Sequence, residues 1–143
     1  MAKDKLHTVL RLRRQEVDAC RAELVLRETR AHAAAIALHE AEETIQAEMA
    51  AATRLSADDA AVEAFGAWLP KGRNAVARAD TTLARAQDEA VQARAHLNLA
   101  RASAEAVEKL LEKKAEAAIQ EALRKQQHVL DEIGQRPRPR LLE

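Results

Sequence analysis

From Leu10 an apolar position returns every seven residues, through Val17, Leu24, Ala31, Leu38, Ile45 and Ala52. The column three places on is mixed: Arg13, Cys20, Arg27, Ala34, Ala41, Glu48 and Leu55. Alternating steps of three and four keep both columns on one side of a helix, so the pattern predicts a first helix over about 3–55, roughly 80 Å long. Such a helix draws its stability from burying that stripe, and so needs a companion. A second column supplies one, running Val76, Leu83, Ala90, Leu97, Ala104 and Leu111, with Ala79, Ala86, Ala93, Ala100 and Val107 beside it. Beyond Leu111 the apolar set moves to Ala115, Ile119, Leu123, Leu130 and Ile133, a four-residue stutter that locally unwinds a supercoil.

The strongest interruption lies between the two columns. Ser56 with Asp59 resembles a capping box, and Ala61, Val62, Phe65, Trp68 and Leu69 share the face of a short helix. Pro70 disfavours helical geometry at Leu69, and Gly72 loosens the chain just after it, so the reversal is expected over about 56–73. The second helix then covers about 74–134, with Gly134 as its C-cap, and Pro137 and Pro139 consign 135–143 to a disordered tail. The expected fold is all-α, one unit of two long helices in an antiparallel coiled-coil hairpin. Folding about the middle of the break sets Ile45 near Leu83, Leu38 near Ala90, Leu10 near Ile119 and Leu6 near Leu123. Residues 124–134 then project past the first helix with Val129, Leu130 and Ile133 uncovered, which implies a partner.

Composition narrows the function. Of 143 residues 48% are hydrophobic but only 1% aromatic, so the seam is built of alanine and leucine and is thin. At about 25 cal/mol per Å² such a seam leaves the hairpin marginally stable, and a partner that recognises only the folded form would add to it. The formal net charge is zero, which gives no general pull toward nucleic acid or an anionic membrane. Cys20 is the sole cysteine, which excludes an internal disulfide and fits a reducing compartment. No stretch has the length and apolarity of a signal peptide core or of a membrane span, so direct membrane insertion is not expected. Charge is nonetheless polarised: residues 3–30 are rich in arginine and lysine, whereas 32–69 carry seven acidic residues against Arg54 alone.

Chemistry-bearing motifs are scarce. His32 and His39 lie near Glu42 and Glu43, but the i, i+4 histidine pair of a helical zinc site is missing, so no metal is expected. Cys20 occupies a seam position rather than a nucleophile's setting. The three glycines, Gly66, Gly72 and Gly134, form no phosphate loop, so no cofactor and no enzymatic activity are expected. Phe65 and Trp68 either close the tip or offer aromatic anchors to a partner.

Several stretches carry a likeness to a known family: Val9-Leu-Arg-Leu-Arg-Arg14 at the opening of the first helix, the Phe-x-x-Trp-Leu segment ending at Leu69, Val107-Glu-Lys-Leu-Leu-Glu-Lys-Lys114, and Leu130-Asp-Glu-Ile133. Together they resemble the flagellar FliJ family and its type III secretion stalk relatives, across nearly the whole chain. The resemblance implies a non-catalytic central stalk and export chaperone, cytoplasmic and peripheral at the membrane-bound export apparatus. Its implied partners are a hexameric export ATPase, a membrane protein of the export gate, and substrate chaperones. Carried over to this sequence, Leu6, Leu10, Arg11, Arg13 and Arg14, with Leu123, Arg124, Gln127, Leu130, Asp131 and Glu132, would face the ATPase. Phe65, Trp68 and Leu69 would face the gate, although the alanine-rich tip departs from the larger residues the family uses there. The competing class is a homo-oligomeric structural coiled-coil scaffold. A stable parallel dimer in sedimentation would mark the scaffold, and an elongated monomer the stalk.

Overall fold

A computed structural model describes residues 2–54 and 56–141. Two helices account for nearly all of it: α1, Ala2–Ala52, and α2, Asp59–Gln135, packed along one another as an antiparallel hairpin. Among the described residues both heptad columns lie on the seam up to Ala41 and Ala52, while Glu48 is exposed. Leu10, Val17 and Ala52 of the first column and Ala34 of the second are buried on α1, as are Leu97, Ala104 and Ala93 on α2. Val17, Leu97 and Ala104 form the most enclosed cluster, with Cys20, Leu24 and Ala100 packed against it. Among the described residues no side chain is completely buried, which is what an alanine seam between only two helices must give. Leu55, expected to close the first helix, lies outside the described residues, as do Leu142 and Glu143.

The reversal is shorter and earlier than the expected 56–73. α1 ends where the Thr53 hydroxyl and its backbone N–H both donate to the Met49 carbonyl, at 2.9 and 3.0 Å. The Ala57 N–H donating to the Arg54 carbonyl at 2.9 Å then closes a tight turn. Asp58, not Ser56, caps α2: its backbone is extended, and its carboxylate accepts the Ala61 N–H at 3.0 Å. The helix then runs through Pro70 without a break. An interior proline costs about 3 kcal/mol through its lost hydrogen bond and its clash with the carbonyl four residues back. Gly66 supplies that carbonyl, and a glycine there lets it tilt toward water more easily than a side-chain-bearing residue would. The opposing term is the seam, because Phe65 and Gly72 precede Ala79 by fourteen and seven residues and Leu69 precedes Val76 by seven. Half-burying Phe65, Trp68 and Leu69 contributes on the order of a few kcal/mol, enough to offset the proline. Gly134 is likewise no cap: it sits inside α2 without a positive φ, and Arg136 turns extended just before Pro137.

An earlier reversal changes the register. Arg14 bonds Glu108 at 3.1 Å, Arg94 bonds Glu28 at 2.8 Å, and Arg27 bonds Glu89 at 2.6 Å. Ile45 lies against Gly72 and Trp68 rather than near Leu83. The partner of each α1 residue stands about one heptad earlier on α2 than expected, so the same columns still meet. The expected pairs Leu38–Ala90, Leu10–Ile119 and Leu6–Leu123 are therefore replaced by partners nearer the tip. In consequence α2 outruns α1 by roughly 25 Å rather than by the shorter stretch 124–134.

Candidate functional site: the two ends of the hairpin

Exposure along α2 changes abruptly. Leu111 is the last half-buried residue, and from 112 to 135 every side chain is exposed. The stutter explains why this begins before α1 runs out, since it rotates the apolar stripe off the seam. Ile119, Leu123, Leu130 and Ile133 step by four, seven and three along one face, 61%, 58%, 55% and 56% exposed. Val129 stands beside them, also exposed. Three local pairs support the helix here: Lys125 with Glu121 at 3.9 Å, His128 with Glu132 at 3.8 Å, and Gln127 donating to Asp131 at 3.1 Å. Each such i, i+4 pair contributes about 0.2–0.5 kcal/mol, enough to hold a helix that packing does not.

Residues expected to face an ATPase divide into two groups set one after the other along the axis. Leu123, Arg124, Gln127, Leu130, Asp131 and Glu132 all lie exposed on the projecting stretch. Leu6, half-buried, and Arg11, Arg13 and Arg14 lie farther back, on the paired stretch. Leu10 is only 7% exposed and serves the seam. Arg13 is engaged by Glu16 at 3.1 Å and Arg14 by Glu108 at 3.1 Å, so much of their charge is spent within the hairpin. Arg11 makes no ion pair among the described residues. Ile119, which the expected register covered, belongs to the exposed stripe. Its signal in the sequence was its place in the stutter, four residues before Leu123.

At the opposite end Phe65, Trp68 and Leu69 lie in the first turns of α2, not in a loop. All three are half-buried. The two rings stand 6.2 Å apart, tilted by 33°. The indole passes over Gly72 so closely that a Cβ there would lie 2.7 Å from it and 3.2 Å from Ile45. One face of each ring thus packs inward while Phe65 and Trp68 line a shallow groove with Glu48, Ala52 and Ala61. The tip is thus closed by these rings, which also stay partly exposed.

Midway, Arg27 reaches into the seam and bonds Glu23 at 2.7 Å as well as Glu89. Those hydrogen bonds, Glu23 first and then Glu89, raise its pKa, so the guanidinium stays charged throughout the neutral range. Among the described residues no three His, Cys, Asp or Glu side chains gather as metal ligands, and His39 pairs with Glu43 at 3.0 Å. Among the described residues no helix is long and apolar enough to cross a membrane.

A family model described as Flagellar FliJ protein matches residues 2–137. No curated protein and no solved structure matches the chain at a significant level.

Proposed function

The chain belongs to the FliJ family of flagellar export components, and from that premise we propose that it acts as a non-catalytic stalk binding a ring-shaped export ATPase with its open end and the export gate with its tip. One observation carries this reading: a single helix projects roughly 25 Å past its partner with Ile119, Leu123, Leu130 and Ile133 exposed along one face. A slender rod of one helix, broadening to two where Arg11 stands exposed, suits insertion into a narrow channel with apolar and acidic walls. Long-range attraction to Arg11 would speed the encounter, while the apolar stripe would set its lifetime. Any ATP chemistry belongs to the ring. Phe65 and Trp68 offer aromatic anchors for the gate, about half available and half committed to the tip.

The test is truncation of the full chain before Glu116, and separately Leu123→Asp with Leu130→Asp, assayed for co-purification with the hexameric ATPase and for stimulation of its turnover. Both variants are expected to lose stimulation while the remaining hairpin keeps its helicity. A truncated protein that stimulates as well as the full chain overturns the placement. Sedimentation separates this reading from the scaffold: the stalk requires an elongated monomer.

A further inference from the structure

Over most of its length the seam tolerates a slide of one heptad, because from Val76 to Leu111 α2 carries the same columns before and after it. In the described register Cys20 packs beside Ala100 on the cluster of Val17, Leu97 and Ala104. Moving α2 seven residues toward the tip would set Cys20 against Val107, Val17 against Leu111, Leu38 against Ala90 and Ile45 against Leu83. These four pairs stay apolar, and the slide's cost falls at the open end, where Lys114 would come opposite Arg13.

Charges around the seam also come close to balance. Three ion pairs cross the described interface: Arg14–Glu108, Glu28–Arg94 and Arg27–Glu89. Arg21 and Arg101 line the same groove as Arg14 and Glu108, together with Glu105 and with Asp18, which Arg21 meets at 3.9 Å. Arg101 makes no ion pair among the described residues. The slide would carry Glu108 to Arg21 and Arg101 to Glu28, replacing two of the three pairs. Exposed ion pairs weigh little individually, so this exchange leaves a small gap. Only Arg27–Glu89 has no successor, which makes Arg27, held by Glu23 and Glu89 together, the latch of the described register.

A slide also needs about seven more residues in the reversal, and the fold holds a release point for them. Between Asp59 and Leu69 the helix is bounded by Pro70, which is costly inside a helix and costs nothing in a first turn, where its missing N–H would have no partner. Gly66, with open space where a side chain would stand, unwinds readily.

We infer that the hairpin has two registers one heptad apart: the described one, and a minor one in which α2 begins at Pro70 and the projecting end is shorter by about 10 Å. The slide couples the two ends mechanically, because the movement that draws in Leu123 and Leu130 frees Phe65 and Trp68 from Ile45 and Gly72. It does not depend on what either end binds.

The native Cys20 is the reporter. In dilute full-length protein under mild oxidation, Ala100→Cys reports the described register and Val107→Cys the slid one. Ala93→Cys, a heptad the other way, sets the background. The intramolecular disulfide is measured by mass spectrometry of the unreduced monomer. Ala100→Cys should close fastest and Val107→Cys about tenfold above the Ala93→Cys control, as a state populated at roughly 1–10% would give. Glu89→Ala should raise the Val107→Cys rate relative to Ala100→Cys, and Pro70→Ala should lower it. Closure of Val107→Cys no faster than the control overturns the second register. Should Val107→Cys not fold, spin labels at Gln15 and Ala95 in a Cys20→Ala background decide instead. Two distance populations, the minor one longer by several ångströms, support the slide; one narrow population rejects it.

Discussion

α2 is one helix with two lives. As far as Leu111 its stripe lies on α1 and contains Leu97, at 4% exposure the best-buried hydrophobic residue described; beyond it the stripe of Ile119, Leu123, Leu130 and Ile133 meets only water. Both stretches are helical and both are spaced for a seam, so helix formation does not distinguish them. The covered stretch is held by removing apolar area from water. The uncovered one is held by its own pairs, Glu121 with Lys125 and Gln127 with Asp131, and by continuity with the helix behind it. The same kind of side chain therefore reports stability in one half and availability in the other.

That difference can be broken by equal truncations. Leu97→Ala should cost about 2–3 kcal/mol, near the low end for buried leucine because the thin interface can partly collapse onto Val17 and Ala104. Leu130→Ala should stay within about 0.5 kcal/mol. Urea unfolding followed by circular dichroism measures both. Similar losses at the two sites would mean that the projecting stretch is covered in solution, as it would be in a self-associated protein.

Much of this was legible in the sequence, and the two failures share one origin. The heptad columns were right along both helices, since alternating steps of three and four have no other reading over such lengths. Pro70 and Gly72 were weighed as a local break, yet Phe65, Gly72 and Ala79 continue one column and Leu69 and Val76 the other. Continuity of the seam outweighed the proline. The register followed the misplaced turn, and columns that repeat every seven residues give no protection against an error of one heptad. The projecting end was visible because it depends on the unequal lengths of the helices, though it is longer than expected. The passage of the indole over Gly72 was not visible, because the sequence does not say which side chain crosses the seam at a glycine.

Gly72→Ala should sharpen the contrast at the tip. Alanine would gain roughly 1 kcal/mol of helix propensity, but its Cβ would fall 2.7 Å from Trp68, which must then leave Ile45. Overpacking of this kind costs about 1–3 kcal/mol, so the net expectation is a loss of about 1 kcal/mol accompanied by a change in tryptophan fluorescence. Trp68→Ala in the same background should absorb the clash, so the double variant should be no less stable than Trp68→Ala alone. A Gly72→Ala protein with unchanged fluorescence and raised stability would show that the indole does not rest there.

The smallest effects concern the two other glycines, and they test whether space alone decides. Gly66 and Gly134 have no atom within 4 Å of an added Cβ, and neither has a positive φ. Both should accept alanine. At an interior position the gain in helix propensity approaches 1 kcal/mol. At Gly66 some of it is returned, because glycine lets the carbonyl opposite the Pro70 ring tilt away and alanine is stiffer, so a gain of about 0.5 kcal/mol is expected. Gly134 lies in the last turn of α2, where fraying leaves little helix to stabilise, and Gly134→Ala should change the unfolding midpoint hardly at all. The ranking Gly66→Ala above Gly134→Ala above Gly72→Ala, measured in one series of urea titrations, follows from place rather than from residue type. If Gly66→Ala proved the most damaging of the three, the helix could not be continuous through Pro70, and the tip would have to be rebuilt around a break at that proline.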